Sequence, residues 1–234
     1  MQTPEDLNPQ FIARCVGWTL LSTIAFGILA AIFISYGINI NLSADIVGTA
    51  ENMLEAETRL RAKAYMGLFV FALEALVSVG LYLLLRKSGP LLAGWCIFVS
   101  LAASVLVLMG TVFAMNAAHI AGSTAYTTLT DETGRLLLTS LQATSDYTSF
   151  HLGLVLSTAA KGGFFYLFLK SNLIPKLIAG WGLFASLFVV VTIVARDFVP
   201  ILGHNTITLA FMVSNLIAMV STGLYLGIRG VRRL

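Results

Sequence analysis

The sequence predicts an all-α integral membrane protein: six transmembrane helices arranged as three tandem helical hairpins, with short amphipathic helices in the outer loops. Three observations carry this. The chain of 234 residues is 58% hydrophobic and only 11% charged, against roughly 45–50% and about 25% in soluble domains. Six apolar stretches are each long enough for a hydrocarbon core of about 30 Å, which takes roughly 20 helical residues. The ends of those stretches also repeat in sequence. Disorder is excluded, because this much apolar surface must be buried in something. The 14 Lys+Arg against 11 Asp+Glu give a net charge of +3 without a polybasic domain, so no nucleic-acid partner is expected. Cys15 and Cys96 lie in apolar runs and supply neither a disulfide framework nor a metal-binding pair.

The spans cover roughly residues 14–38, 64–85, 91–115, 147–169, 177–195 and 206–228 of a single domain, 1–234. Helices are required there, since backbone polar groups in lipid must be paired internally. The first span is expected to be retained rather than cleaved. Glu5 and Asp6 precede its only upstream basic residue, Arg14, and no small-x-small cleavage site follows. Lys and Arg in short loops set the direction. Arg14, Arg86, Lys87, Lys170, Lys176, Arg229, Arg232 and Arg233 fall on one side. The basic residues of the other side are diluted by acids in longer loops. Both termini are therefore expected in the cytoplasm, with the protein in the cytoplasmic membrane.

Two outer segments read as helices. Residues 44–62 place Ile46, Val47, Ala50, Met53, Leu54 and Leu60 at helical spacing. Glu55 with Arg59 and Glu57 with Arg61 are favourable i,i+4 pairs there. Residues 131–143 open with Asp131 and Glu132, as a helix N-terminus favours. Each segment is expected to lie on the bundle or to act as a lid. Asn41-Leu42-Ser43 matches a glycosylation sequon.

The repeat is a hairpin. Gly17-Trp18, Gly94-Trp95 and Gly180-Trp181 open the odd-numbered spans. The even-numbered spans close with Leu81-Tyr82-Leu83, Phe165-Tyr166-Leu167 and Leu224-Tyr225-Leu226, each followed three residues on by Arg or Lys. Either three equivalent hairpins surround an axis along the membrane normal, or interfacial preferences of Trp, Tyr and the cations produced similar ends independently.

Several strings resemble one family. They are Ala-Asp-Ile-Val-Gly-Thr-Ala-Glu-Asn-Met at 44–53, Leu-Tyr-Leu-Leu-Leu-Arg at 81–86, and the stretch from Tyr166 through Lys170-Ser171, Ile174-Pro175-Lys176 and Gly180-Trp181-Gly182. They are similar to the bacterial multi-pass membrane proteins grouped as domain of unknown function 4386, over about residues 12–228. The resemblance implies six helices and a bacterial cytoplasmic membrane, and it brings no catalytic residue with it. The sequon has no meaning in a bacterial protein.

Two charges lie inside spans, Glu74 and Lys161. Each costs about 2.5–3.5 kcal/mol at a helix centre on insertion scales, so each calls for a partner or an exit. Glu74 is eight residues before Tyr82 and Lys161 five before Tyr166, a depth difference of roughly 4–5 Å at 1.5 Å per residue. A lysine side chain spans that. Three readings stay open: a snorkelling Lys161 beside a protonated Glu74, an ion-paired staple, or a proton or substrate pathway. Ala159-xxx-Gly163 and Gly223-xxx-Gly227 read as packing notches.

The outer face gathers His119, His151 and His204 with Asp146 and Asp197. His/Asp sets can hold zinc and activate water. Here the spacing has no HxxxH or HExxH pair, and the depths scatter, so no metal and no cofactor is expected. Two functional classes follow. The first is a non-enzymatic membrane protein that binds a lipid or small molecule, acts in transport, or serves as an accessory, alone or as a homo- or hetero-oligomer. The alternative is a metal-dependent membrane hydrolase using the outer-face His/Asp residues.

Overall fold

The computed structural model describes residues 8–40 and 45–232. The Asn41-Leu42-Ser43 sequon, Glu5, Asp6 and Arg233 lie outside the described residues. The chain forms α1 (Pro9–Phe33), α2 (Ile46–Leu54), α3 (Glu57–Leu85), α4 (Pro90–Gly122), α5 (Thr124–Leu129), α6 (Glu132–Ser171), α7 (Lys176–Arg196), a 3-10 turn at Pro200–Gly203 and α8 (Asn205–Arg229). Among the described residues, six helices are long and apolar enough to cross a bilayer: α1, α3, α4, α6, α7 and α8. Their outward side chains include Phe33, Leu91, Phe98 and Leu177, each more than 70% exposed. A water-facing surface does not carry contiguous apolar area on this scale; lipid does. The protein is an all-α, multi-pass membrane protein.

Local chemistry explains the ends. Asn8 accepts a 2.9 Å hydrogen bond from the Gln10 N–H at the start of α1, and Pro9 sits where a missing N–H costs nothing. The first span was expected to run to residue 38, but α1 stops at Phe33. Gly37 turns the chain with φ +75°, a region open to glycine without steric cost. Asn52 and Arg59 hold that turn by donating to the carbonyls of Gly37 (3.1 Å) and Tyr36 (3.0 Å). Asp45 caps α2 by accepting from the Gly48 N–H.

The outer segments differ from the expected layout in two ways. Residues 44–62 do not form one helix: α2 ends at Leu54 and α3 begins at Glu57. Arg61 and Glu57 share one helix and pair at 2.9 Å. Glu55 lies outside α3, so the i,i+4 geometry with Arg59 is lost. The helix expected at 131–143 is the first part of α6, which is 40 residues long, or about 60 Å. Asp131 starts it by accepting from the Gly134 N–H at 2.9 Å, and no proline interrupts residues 132–171. It projects well beyond a hydrocarbon core of about 30 Å.

Contacts divide the chain into two compact units. The first contains the described residues of Met1–Ile24, Leu73–Ala103 and Val155–Leu234; the second contains Ala25–Ala72 and Ser104–Leu154. In the first, each membrane helix touches the next in chain order. Val16 of α1 packs on Gly80 of α3, Cys96 of α4 on Gly163 of α6, and the Phe165 ring of α6 on Gly182 of α7. Ser78 of α3 and Ser100 of α4 share a 2.8 Å hydrogen bond. The indole N–H of Trp181 on α7 donates to the Ser214 carbonyl on α8 at 3.2 Å. The series closes where α8 meets α1: a Cβ added to Gly17 would lie 2.6 Å from the Gly223 oxygen and 2.7 Å from Gly227 Cα. The Gly223-xxx-Gly227 notch thus receives the glycine of the first Gly-Trp pair. Thr158, Ala160, Phe164, Phe165, Leu167 and Phe168 are all buried, so α6 is enclosed over about half of its circumference at 100° per residue.

The second unit has its own core. Ile38, Met53, Leu60 and Ala64 pack with Ala114, Ala117, Ala118 and Ala143. Small residues let helices approach closely. Glu57 and Thr111 rest on Gly122 and Gly67 respectively, an antiparallel register of α3 with α4. Asn116 donates to Gln142 at 3.3 Å, and Arg135 donates to the Ile120 and Ala121 carbonyls that end α4. These contacts set α4 against α6.

The three Gly-Trp pairs are alike only in part. Trp18, Trp95 and Trp181 are all exposed. Gly94 and Gly180 have open space where a Cβ would go, whereas Gly17 has backbone. Gly17→Ala is expected to destabilise the protein by about 1–3 kcal/mol through overpacking, while Gly94→Ala is neutral or stabilising by up to about 1 kcal/mol. Thermal unfolding of the two variants in detergent checks this; equal effects would refute the close approach of α1 and α8.

Candidate functional site

Polar groups inside apolar helices are the chemistry this chain offers. In the second unit, Lys63 lies two turns into α3 and Asp146 lies about four turns into α6. Lys63 Nζ donates to Asp146 Oδ2 at 2.5 Å, and each side chain is only 15% exposed. The other carboxylate oxygen, Oδ1, rests against Gly110 of α4. Any larger residue at 110 would displace it. Three helices therefore build one enclosed ion pair: α3 supplies the cation, α6 the anion and α4 the socket. Withdrawn from water, each charge costs several kcal/mol alone and is tolerated because the other is present.

In the first unit, Glu74 of α3 and Lys161 of α6 are both half-buried. Glu74 is near enough for its charge to act on Lys161. Lys161 points into the enclosed arc of α6, between buried Thr158 and Phe165. Ser78, one turn beyond Glu74, bonds Ser100. The sequence brought these two charges to notice by their depth; the structure adds the packed apolar setting.

The remaining outer-face residues each have a local setting. Asp146 is engaged by Lys63. His204 caps α8, its Nδ1 accepting from the Thr206 N–H at 3.3 Å. Asp197 is the exposed residue closing α7. His119 is exposed near the end of α4. His151 is half-buried, its ring 5.7 Å from that of Tyr147 one turn earlier on α6. Among the described residues, no three or more His, Cys, Asp or Glu side chains are placed to hold a metal ion. Cys15 and Cys96 are free thiols, the first exposed and the second buried against Gly163.

The sequence analysis did not single out Lys63, because it lies just outside the span placed at 64–85. A signal was available. Lys63 and Glu74 are 11 residues apart, three helical turns, so they share one stripe of a helix. The helix start at Glu57 rather than residue 64 is what makes that stripe continuous.

A family model described as domain of unknown function (DUF4386) matches residues 15–230. The chain belongs to this family. The match spans Lys63, Glu74, Asp146 and Lys161, so both charged sets lie within the DUF4386 region. No curated protein and no solved structure matches the chain.

For this DUF4386 protein, Asp146→Asn and Lys63→Met should each destabilise by about 3 kcal/mol, because each strands a buried charge or loses its ligand. The double variant Lys63→Met/Asp146→Leu should cost less than either alone. Unfolding titrations in mixed micelles measure all three; strictly additive losses would rule out the coupling.

Proposed function

We propose that this is a non-enzymatic protein of the bacterial cytoplasmic membrane, acting as a binding or accessory component that meets its ligand or partner through its membrane-embedded surface. The observation that carries this is the packed apolar setting of the half-buried Lys161. The helix that holds it buries Thr158, Ala160, Phe164 and Phe165 around it. A charge set among packed aromatic and aliphatic groups suits a staple between α3 and α6, with Glu74 as its counter-charge. A wet passage would call for polar lining at that place. The ligand in this reading is a lipid or an apolar small molecule, and a second copy or another membrane protein is the natural partner. No cofactor takes part in this reading.

Both termini lie in the cytoplasm in this reading, supported by the clustering of Arg86, Lys87, Lys170 and Lys176 in short loops. With Cys15 and Cys96 replaced by Ser, Thr128→Cys should react with an impermeant maleimide added outside intact cells, and Lys87→Cys should react only after lysis. The reverse pattern would invert the topology.

The function is tested by incubating purified protein with zinc and bacterial lipid extract. The lipid composition should stay unchanged; released headgroups or acyl chains would make it a hydrolase. For the staple, Glu74→Gln and Lys161→Met should each lower the unfolding temperature, and the double variant should lie above the sum of the two losses. Additive losses would count against it.

A further inference from the structure

We propose that the cationic end of the first unit is a binding surface for the headgroups of anionic phospholipids, built by a C-terminal tail fixed to α1 and to the α6–α7 turn. Gln10 clasps the tail with both ends of its amide: its Nε2 donates to the Val231 carbonyl at 2.6 Å and its Oε1 accepts from the Val231 N–H at 3.1 Å. Gly230, at φ +72°, lets the chain turn back after α8, and the Gln10 amide lies where its Cβ would be. The Arg232 N–H then donates to the Leu173 carbonyl at 2.9 Å.

These backbone bonds decide where charge collects. Arg14 follows Gln10 by one turn of α1. Lys170 and Lys176 flank Leu173 by three residues on either side. Arg229 and Arg232 flank the clasped Val231. All five are exposed, and among the described residues neither ion pair involves them. The described carboxylates of the first unit are Glu74, three turns up α3, and Asp197, at the opposite end of α7 from Lys176. Among the described residues, the surface is cationic without a competing internal anion.

Aromatic rings identify the occupant. Trp18 lies one turn inward of Arg14 and Tyr166 one turn inward of Lys170; they are 54% and 52% exposed. Indole and phenol rings settle at the boundary between headgroups and acyl chains, so the cations just beyond them stand at phosphate level. Guanidinium groups match phosphate oxygens in a bidentate fork. A phosphate carried on acyl chains satisfies rings and cations together, which a free anion or a soluble acidic protein does not. The inference stands apart from the function proposed above, since neither Glu74 nor Lys161 enters it.

The test uses the full chain in nanodiscs of phosphatidylcholine with and without phosphatidylglycerol, read by native mass spectrometry of retained lipid and by melting temperature. Phosphatidylglycerol should be retained preferentially and raise the melting temperature. Arg14→Gln/Arg229→Gln/Arg232→Gln changes only exposed side chains and should weaken retention about a hundredfold, at about fivefold per cation. Gln10→Ala keeps the net charge and should still weaken retention severalfold, because the tail is released. Equal retention of the two lipids overturns the proposal. So does inorganic phosphate that stabilises the protein as well as phosphatidylglycerol does, or a Gln10→Ala variant that binds like the unaltered chain.

Discussion

Where α1 meets α8, Gly17, Gly223 and Gly227 remove the side chains between two helix backbones, and the rest of the packing follows the same constraint. Lipid tails are as apolar as leucine, so membrane helices gain little by hiding apolar surface from them. Adhesion has to come from close contact and from polar groups with nowhere else to go. The chain meets this by using glycine as a socket. Gly80 accepts Val16, Gly163 accepts Cys96, Gly182 accepts the Phe165 ring and Gly67 accepts Thr111. Gly110 does the same for the carboxylate of Asp146. One device serves a methyl group, a thiol, an aromatic ring and a charge.

Charge placement extends that logic. Along α3 the order is Lys63 then Glu74; along α6 it is Asp146 then Lys161. The signs are opposed at both places: Lys63 bonds Asp146 within the second unit, and Glu74 and Lys161 are both half-buried within the first. A shift in register between these helices would leave charges unpartnered in a low-dielectric surrounding, which is far more costly than any single apolar mismatch. Charge therefore specifies which helices pair, while the glycines set how closely. This division of labour also accounts for the low charge content: few ionisable groups are affordable in lipid, and those retained need defined partners.

Much of the architecture was legible in the chain alone. Apolar length marked six spans, because crossing hydrocarbon demands about 20 residues whatever surrounds them. Glu74 and Lys161 stood out because charge inside such a span is expensive. The Gly223-xxx-Gly227 notch was legible from spacing. Other features were not. The helix start at Asp131-Glu132 was legible, but the apolar window that located the fourth span gave no sign that this helix runs on unbroken to Ser171, since the hydrogen-bonded helix continues through polar residues once Asp131 has capped it. Nor did the Gly-Trp repeat distinguish Gly17, which meets another backbone, from Gly94 and Gly180, which do not.

What the sequence by itself determined was the class of the protein, the number of crossings and the identity of the residues that membrane burial makes costly. These are properties of single segments, summed residue by residue against a uniform solvent. Only the tertiary structure decided the partnerships: Asp146 with Lys63 rather than with the histidines, His204 as a helix cap, and Gln10 holding a tail 221 positions away. The reason is geometric. A side chain's partner depends on the rotation and register of whole helices against one another, and those are settled by glycine sockets and backbone contacts that no local stretch of sequence contains.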